Sequence, residues 1–435
     1  MCELGLSPEK RALSPGRSLI VSGPASWKVV KGAVEVFKAE FRSPSRLIVR
    51  AGKTLPVTAL EPSELSLALG ENGSVDELGS DPFPEAWRAA LSQLVSLRAR
   101  SVALLGDTDS GKTTFCIMLA NAALREGFRV AFLDGDIGQA ELGPPTTVSL
   151  AFLRKPVADL FPLSRDRAYF VGATTPAALS SRSVAALENL HRSAEGEHPD
   201  LAVLNLDGWV EGPAAIEHKA EIVRRLRPQV CVMLQPPGDL HGLVEALKPL
   251  GCQVLALPVP PSIRKRSSEE RRKLRQLGYR KELKGSTRRT LQLDEVRFLG
   301  GAFTGGTPLG QERVEGLSEL LGRRVLYGEE TVNGVTVVAD EHKPSPRDQP
   351  GPSAGSTANV KVVPVGFERG LIAGLLAKNG QLLSLGIVEE LNYAGRAVRV
   401  LTPYRGPVDT VELGQVRLDR CCRELPWPPA SSRRL

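Results

Sequence analysis

The stretch Ser101–Thr114 reads SVALLGDTDSGKTT, and its reading decides the fold. Val102 to Leu105 form an apolar run of the length a buried strand needs. Gly106 follows, then Asp107, Thr108, Asp109 and Ser110, then Gly111, Lys112, Thr113 and Thr114. This is the phosphate-binding pattern G-x-x-x-x-G-K-[ST]. The glycines let the backbone curl so that several N–H groups converge on one phosphate. Lys112 can reach the β- and γ-phosphates, and the Thr113 hydroxyl can ligate Mg²⁺. The helix predicted over 112–125 aims its positive dipole end at the same anion. Strand, loop and helix fall where that chemistry needs them.

Composition bounds the rest. A chain of 435 residues has room for about three domains. An apolar share of 42% and a charged share of 24% suit a globular protein. No run of 18 apolar residues exists to span a bilayer, and MCELGLSPEKRALSPGR has no apolar core of a signal peptide. The six cysteines show neither C-x-x-C nor zinc spacing, and the five histidines are scattered. The expectation is a reduced intracellular protein, cytoplasmic in a prokaryote and nuclear in a eukaryote, with no resident metal cluster. Net charge is +7, but residues 264–289 alone hold twelve Lys/Arg against three Glu, a net +9. The remainder therefore carries −2. A cationic segment this compact is the footprint of a polyanion partner, against the plainer reading of a solvated helix face.

Working outward from the loop, apolar runs at 101–105, 129–133, 168–171, 201–206, 229–234 and 252–257 alternate with helical stretches, clearest at 112–125, 213–226 and 239–248. Short strands separated by helices predict an α/β fold, a parallel sheet with helices on both faces. Ligands then bind at the carboxyl ends of the strands. Residues 1–90 alternate apolar and polar between turn residues and read as a small N-terminal β-rich domain. The central domain is placed at 91–300, with a basic lid at about 262–285. A mixed segment ending in a Pro/Gly/Ser linker covers 301–359, and a C-terminal β-rich domain covers 360–435.

Three further stretches reach the same mouth. In DGDIGQAELGPP (134–145), Asp134 and Asp136 follow a strand. Two carboxylates there can serve Mg²⁺, directly or through water, and one can take the proton of an attacking hydroxyl. Gln139 continues that loop. LAVLNLDGWVEG (201–212) ends another strand at Asn205, Asp207 and Trp209, and an aromatic at a strand end can stack on a base. In FVGATTPAALS (170–180), Thr174 and Thr175 offer hydroxyls in a turn before Pro176.

With the basic segment added, the chain resembles the polynucleotide 5′-hydroxyl-kinase family, the RNA-processing kinases of tRNA splicing, mRNA 3′-end cleavage and ribosomal RNA maturation. GDTDSGKTT, DGDIGQAELGPP, TTP, NLDGWV and the R-S-x-x-x-R-x-x-x-R pattern of Arg266, Ser267, Arg271 and Arg275 carry the resemblance, in that family's order and spacing. It is strongest over about 100–280 and extends more weakly to flanking β domains. It implies a central P-loop NTPase domain. Lys112 and Thr113 would hold the phosphates and Mg²⁺, with Asp134 beside the metal. Asp136 would be the base for the 5′-hydroxyl, and Thr174 or Thr175 the clasp on the RNA end. Trp209 would be the platform for the terminal base, with Gln139 on the substrate side. Arg266, Arg271 and Arg275 would be lid arginines, and Arg271 or Arg275 would come nearest the transferring phosphate. The implied activity is transfer of the γ-phosphate of ATP, or another NTP such as GTP, to the 5′-hydroxyl of single-stranded RNA or DNA. The alternatives are an ATP-binding scaffold subunit with little turnover, or a small-molecule kinase. The absence of an N-K-x-D motif weighs against a GTPase.

Overall fold

The computed structural model describes residues 9–79, 81–235, 240–261, 263–301, 303, 305–332, 334–340 and 360–426. The linker anticipated at 341–359 and the end of the tail, 427–435, lie outside the described residues. The chain divides into two compact units. The first runs through Val171 and adds Thr175–Arg275; the second comprises Gly172–Thr174 and the chain from Gln276 onward.

The first unit is built on seven strands: β1 (Ser101–Gly106), β2 (Val130–Gly135), β3 (Thr147–Leu153), β4 (Arg167–Phe170), β5 (Leu201–Leu206), β6 (Val230–Leu234) and β7 (Gln253–Leu257), in the order β4-β3-β2-β5-β1-β6-β7. Around them lie the helices α1 (Glu85–Ser96), α2 (Lys112–Arg125), α3 (Ser180–Glu195), α4 (Pro213–Leu226) and α5 (His241–Leu247), while α6 (Ser268–Glu282) begins in the first unit and continues past its end at Arg275. The two-residue period of a strand sorts β1 cleanly. Val102 and Leu104 join the core formed with α1 and α2, while Ala103 and Leu105 join the core formed with α3, α4 and α5. Both faces are buried, so β1 and β5 read as continuous apolar runs.

The sheet departs from the all-parallel expectation at one strand. β3 pairs antiparallel with both β2 and β4, so the sheet is mixed. TTVSLAFL follows directly on GPP, and the turn signal masks the strand behind it. The two prolines turn the chain back, Thr146 takes a left-handed φ of 73°, and its N–H donates to Ile137 O. Helix α3 is a further element between β4 and β5, with Val184, Leu187 and Leu190 on its buried face.

The N-terminal strands form a four-stranded sheet (Glu9–Leu13, Ser63–Leu69, Ala25–Lys31, Arg46–Val49) and a five-stranded sheet (Ala39–Arg42, Ala33–Val36, Thr54–Ala59, Ser18–Ser22, Ser74–Leu78). They share one continuous hydrophobic core with α1, α2 and β1: Trp27, Val34, Val57 and Leu65 belong to the same cluster as Trp87, Phe115 and Leu104. Asn121 of α2 joins the two parts. Its amide donates to Phe37 O (2.6 Å) and Val157 O (2.8 Å) and accepts from Val157 N–H (2.9 Å), leaving a fully buried polar side chain satisfied.

In the second unit, Thr287–Gln292, Ala397–Thr402, Leu382–Asn392, Leu371–Leu376, Thr410–Leu418 and Arg297–Leu299 follow one another in a single sheet. A four-stranded sheet with helix Gln311–Leu321 accompanies it. Residues 287–299, assigned to the central domain on composition, thus take their hydrogen-bond partners from the C-terminal strands. Leu291 pairs with Val398, and Phe298 with Val411.

Candidate active site

β1 lies between β5 and β6, where the chain order reverses, so its carboxyl end faces the crevice in which open α/β sheets bind ligands. The loop after it turns at two left-handed glycines, Gly106 (φ 148°) and Gly111 (φ 96°). A Cβ on Gly106 would meet Leu234 O at 2.5 Å, and one on Gly111 would meet Ile263 at 2.5 Å and the Trp87 ring at 3.1 Å. Trp87 is itself held by a bond from its indole N–H to Pro258 O (2.9 Å) and an edge contact with Phe115. Helix α2 begins at Lys112, as the motif predicts. Lys112 Nζ donates to Gly106 O (2.9 Å) and Asp107 O (2.8 Å). Burial lowers its pKa, and the nearby carboxylates Asp136 and Asp207 oppose that shift. The Ser110 hydroxyl is buried without a partner.

The two aspartates at the end of β2 do different work. Asp134 is 1% exposed. Its Oδ2 accepts the N–H groups of Glu141 (2.8 Å) and Leu142 (3.0 Å), and its Oδ1 accepts from the Asn205 amide (3.0 Å). It anchors the following loop onto β5, where Asn205 pairs in register with it. Burial pushes its carboxyl up to about 6, against the three hydrogen bonds it receives. Asp136 Oδ1 closes a tight turn by accepting from Gly138 N–H (3.0 Å) and Gln139 N–H (2.8 Å). Burial raises its pKa too, with Lys112 pulling down and Asp207 pushing up. Gln139 Oε1 is buried and unpartnered.

β5 delivers Asp207, Gly208 and Trp209 to the same mouth. A Cβ on Gly208 would lie 2.6 Å from Thr108 N, so only glycine lets this loop pack on the phosphate loop. Trp209 is half-buried. Of the two threonines after β4, Thr175 is exposed and falls to the first unit, immediately before the short turn Pro176–Ala178, and Thr174 falls to the second.

The lid begins with a capping box. Ser267 Oγ accepts from Glu270 N–H (3.1 Å), and Glu270 accepts from Ser267 N–H (2.8 Å), which sets the start of α6. Two lid arginines converge on phosphate-loop Asp109. Arg266 donates to it through its backbone N–H (2.9 Å) and guanidinium (3.1 Å), and Arg271 lies 3.3 Å away. Arg275 lines a small cleft with Arg50, Gln139, Glu141 and Phe161.

Sequence reasoning missed the charges that brace this loop from the N-terminal sheets. Arg50 binds both oxygens of Asp159 (2.8 Å each) and donates to Glu141 (2.9 Å), and Lys53 also pairs with Glu141. Only the turn between two strands brings Arg50 and Lys53 there, and no local spacing announces it. The buried trio Asp207, Lys219 and His218 was missed likewise. Among the described residues no group of three or more His, Cys, Asp or Glu is disposed to hold a metal ion. A hydroxyl such as that of Thr113 beside phosphate oxygens suits Mg²⁺, which takes few protein ligands.

Residues 106–284 match the family model described as mRNA cleavage and polyadenylation factor CLP1 P-loop. A polyribonucleotide 5′-hydroxyl-kinase of Pyrococcus abyssi is 28% identical over 349 residues, covering 80% of this chain and 96% of its own. One of Thermococcus kodakarensis is 29% identical over 324 residues, covering 74% and 89%. Among solved structures, wild-type Clp1p in complex with Pcf11p aligns with a TM-score of 0.65 at 14% identity, covering 95% of this chain and 99% of that one, which establishes the fold. The family resemblance read from GDTDSGKTT, DGDIGQ and NLDGWV is borne out.

Proposed function

We propose that this protein is an ATP-dependent polynucleotide kinase that phosphorylates the 5′-hydroxyl end of RNA. One observation carries the reading: a phosphate loop with Lys112, a half-buried carboxylate at Asp136, and lid arginines drawn to Asp109 all meet at one strand-end mouth. The names of the archaeal relatives support the RNA end as acceptor, and the +9 segment supports a polymer over a free nucleoside. DNA ends and GTP as donor are extensions of the same proposal, as is a single-stranded acceptor.

In the step proposed, the 5′-oxygen attacks the γ-phosphorus while Asp136 takes the hydroxyl proton. The bond from the γ-phosphorus to the bridging oxygen breaks, and ADP leaves with that oxygen. The protein's part is positioning and cancelling charge. Lys112 leaves the carbonyls of Gly106 and Asp107 for the phosphates. Thr113 would hold Mg²⁺, which would supply charge neutralisation beside the phosphates. Asp134 acts through the loop it anchors, since both of its oxygens already accept protein N–H groups. Arg271 and Arg275 are the arginines proposed to face the transferring group, a role worth roughly 10³–10⁵ in rate. Thr175 or Thr174 steadies the acceptor and Trp209 stacks on its base.

The test uses γ-labelled ATP, Mg²⁺ and a short single-stranded RNA ending in a 5′-hydroxyl, beside the same RNA with a 5′-phosphate. Label is expected on the first alone, and Lys112→Ala and Asp136→Asn are each expected to abolish it while circular dichroism stays unchanged. Retained transfer in both variants would sink the assignment. ATP binding without transfer in the parent protein would favour the scaffold reading.

A further inference from the structure

Helix α4 turns two ionisable residues inward. His218 is 2% exposed and Lys219 is 0% exposed, while Glu217, Glu221, Arg224 and Arg225 pair with one another or with Glu188 on its outer face. A lysine with no exposed surface is costly to desolvate unless it is paired, and an apolar side chain would fill the place without that cost.

Both residues converge on one loop. Lys219 Nζ donates to Asp207 Oδ2 at 2.5 Å, and Asp207 Oδ1 accepts the backbone N–H of Trp209 at 2.9 Å. Burial would raise the pKa of Asp207, but Lys219 and His218 hold it well below the ordinary carboxylate range. The His218 ring lies 5.5 Å from the Trp209 ring at 38°. Its Nε2, buried without a hydrogen-bond partner, is 3.8 Å from Asp207 Oδ2. Its Nδ1 is 2.8 Å from the hydroxyl of Ser180, the first residue of α3 and five positions after Thr175. Gly208, between Asp207 and Trp209, abuts Thr108 of the phosphate loop. One buried ion pair thus sets the turn that presents the indole, and one imidazole links that turn to the start of α3.

We infer that Asp207, Lys219 and His218 are positioning residues for the acceptor end: they hold the Trp209 indole as a preset face for the terminal nucleobase, in register with the phosphate loop and with the segment carrying Thr175. The inference rests on the kinase reading and adds to it the means by which the base platform is fixed. Lys219 is not a catalytic residue here: its ammonium is held by Asp207, and toward Lys112 it adds only a repelling charge. A preset aromatic face lowers the ordering cost of capturing a flexible strand end.

The experiment takes the full chain with Lys219→Met, and with Asp207→Asn and Lys219→Met together, which removes both charges yet keeps an acceptor for Trp209 N–H. Lys219→Met is expected to raise the KM for a 5′-hydroxyl RNA at least tenfold while the KM for ATP stays within twofold. The double variant should recover at least a third of that loss. Tryptophan emission, taken as the difference between each protein and its Trp209→Phe version, should shift to the red in Lys219→Met without any substrate. A folded Lys219→Met protein with unchanged RNA KM and unchanged Trp209 emission would overturn the inference, as would equal losses for RNA and ATP. A parent protein that phosphorylates no RNA would instead defeat the kinase reading, and the emission shift would still decide whether Lys219 sets the indole. If Lys219→Met does not fold, Ser180→Ala decides: an RNA KM raised about threefold supports the link through His218, and no change overturns it.

Discussion

At the scale of single residues, the chemistry lies in how burial divides two neighbouring aspartates. Asp134 and Asp136 are two positions apart, yet one anchors a loop with both oxygens and the other faces Lys112 from a turn. The folded carboxyl of Asp134 is raised to about 6 from 3.8, so the native state keeps its proton to higher pH than the unfolded chain does. Stability from this group is therefore full below about pH 4, is lost as pH rises through about 6, and differs across that window by about 3 kcal/mol. Asp134→Asn removes the titration while keeping an oxygen for the two backbone N–H groups. The variant should gain stability relative to the parent between pH 4.5 and pH 7 in urea unfolding followed by circular dichroism. A constant difference between the two proteins across that range would show that Asp134 is ionised throughout.

At the scale of elements, helix α2 does more than start at the phosphate loop. Through Asn121 it also grips the turn at Phe37 and the segment at Val157, so the loop rides on a helix fixed at both ends. Asn121→Ala strands two carbonyls and one N–H in the interior. With a buried unsatisfied group costing roughly 1–3 kcal/mol, the expected loss is about 3 kcal/mol, read as a fall in the denaturation midpoint. A loss below about 1 kcal/mol would mean that water replaces the amide. The lid helix is set by equally local means, since the Ser267–Glu270 box is visible in RSSEE. What its arginines touch is not visible there, because Asp109 lies 157 positions before Arg266.

At the scale of the whole molecule, the N-terminal strands are part of the first unit's core. Trp27 and Leu65 from the sheets belong to the cluster that contains Phe115 and Leu104. Arg50 and Lys53 reach Glu141 on the loop that carries Asp136 and Gln139. Deleting the chain through Leu78 would bare the apolar surface over α1 and α2 and leave Glu141 and Asp159 without their cations. The shortened protein is expected to lose its cooperative thermal transition, checked by circular dichroism melts. A transition within a few degrees of the parent's would show that the α/β layer folds alone. The reading of 1–90 as a separate β-rich domain saw the strands but not the shared core. Alternation reveals which face of a strand is apolar and says nothing about what covers it.

Legibility followed the range of the interactions. The phosphate loop, helix α2, most core strands, the paired aspartates and the basic lid were legible because each is written within about twenty consecutive residues. Glycine conformations, strand period and charge density are local properties, and they sufficed for the fold class and the family resemblance. Tertiary structure alone decided that β3 runs against its neighbours, that Asp134 is an anchor, that Asp109 gathers the lid arginines, and that Lys219 with His218 sits behind Trp209. Those pairings join residues up to 162 positions apart. Their partners are chosen by which faces the hydrophobic cores press together, and no short stretch of chain carries that information.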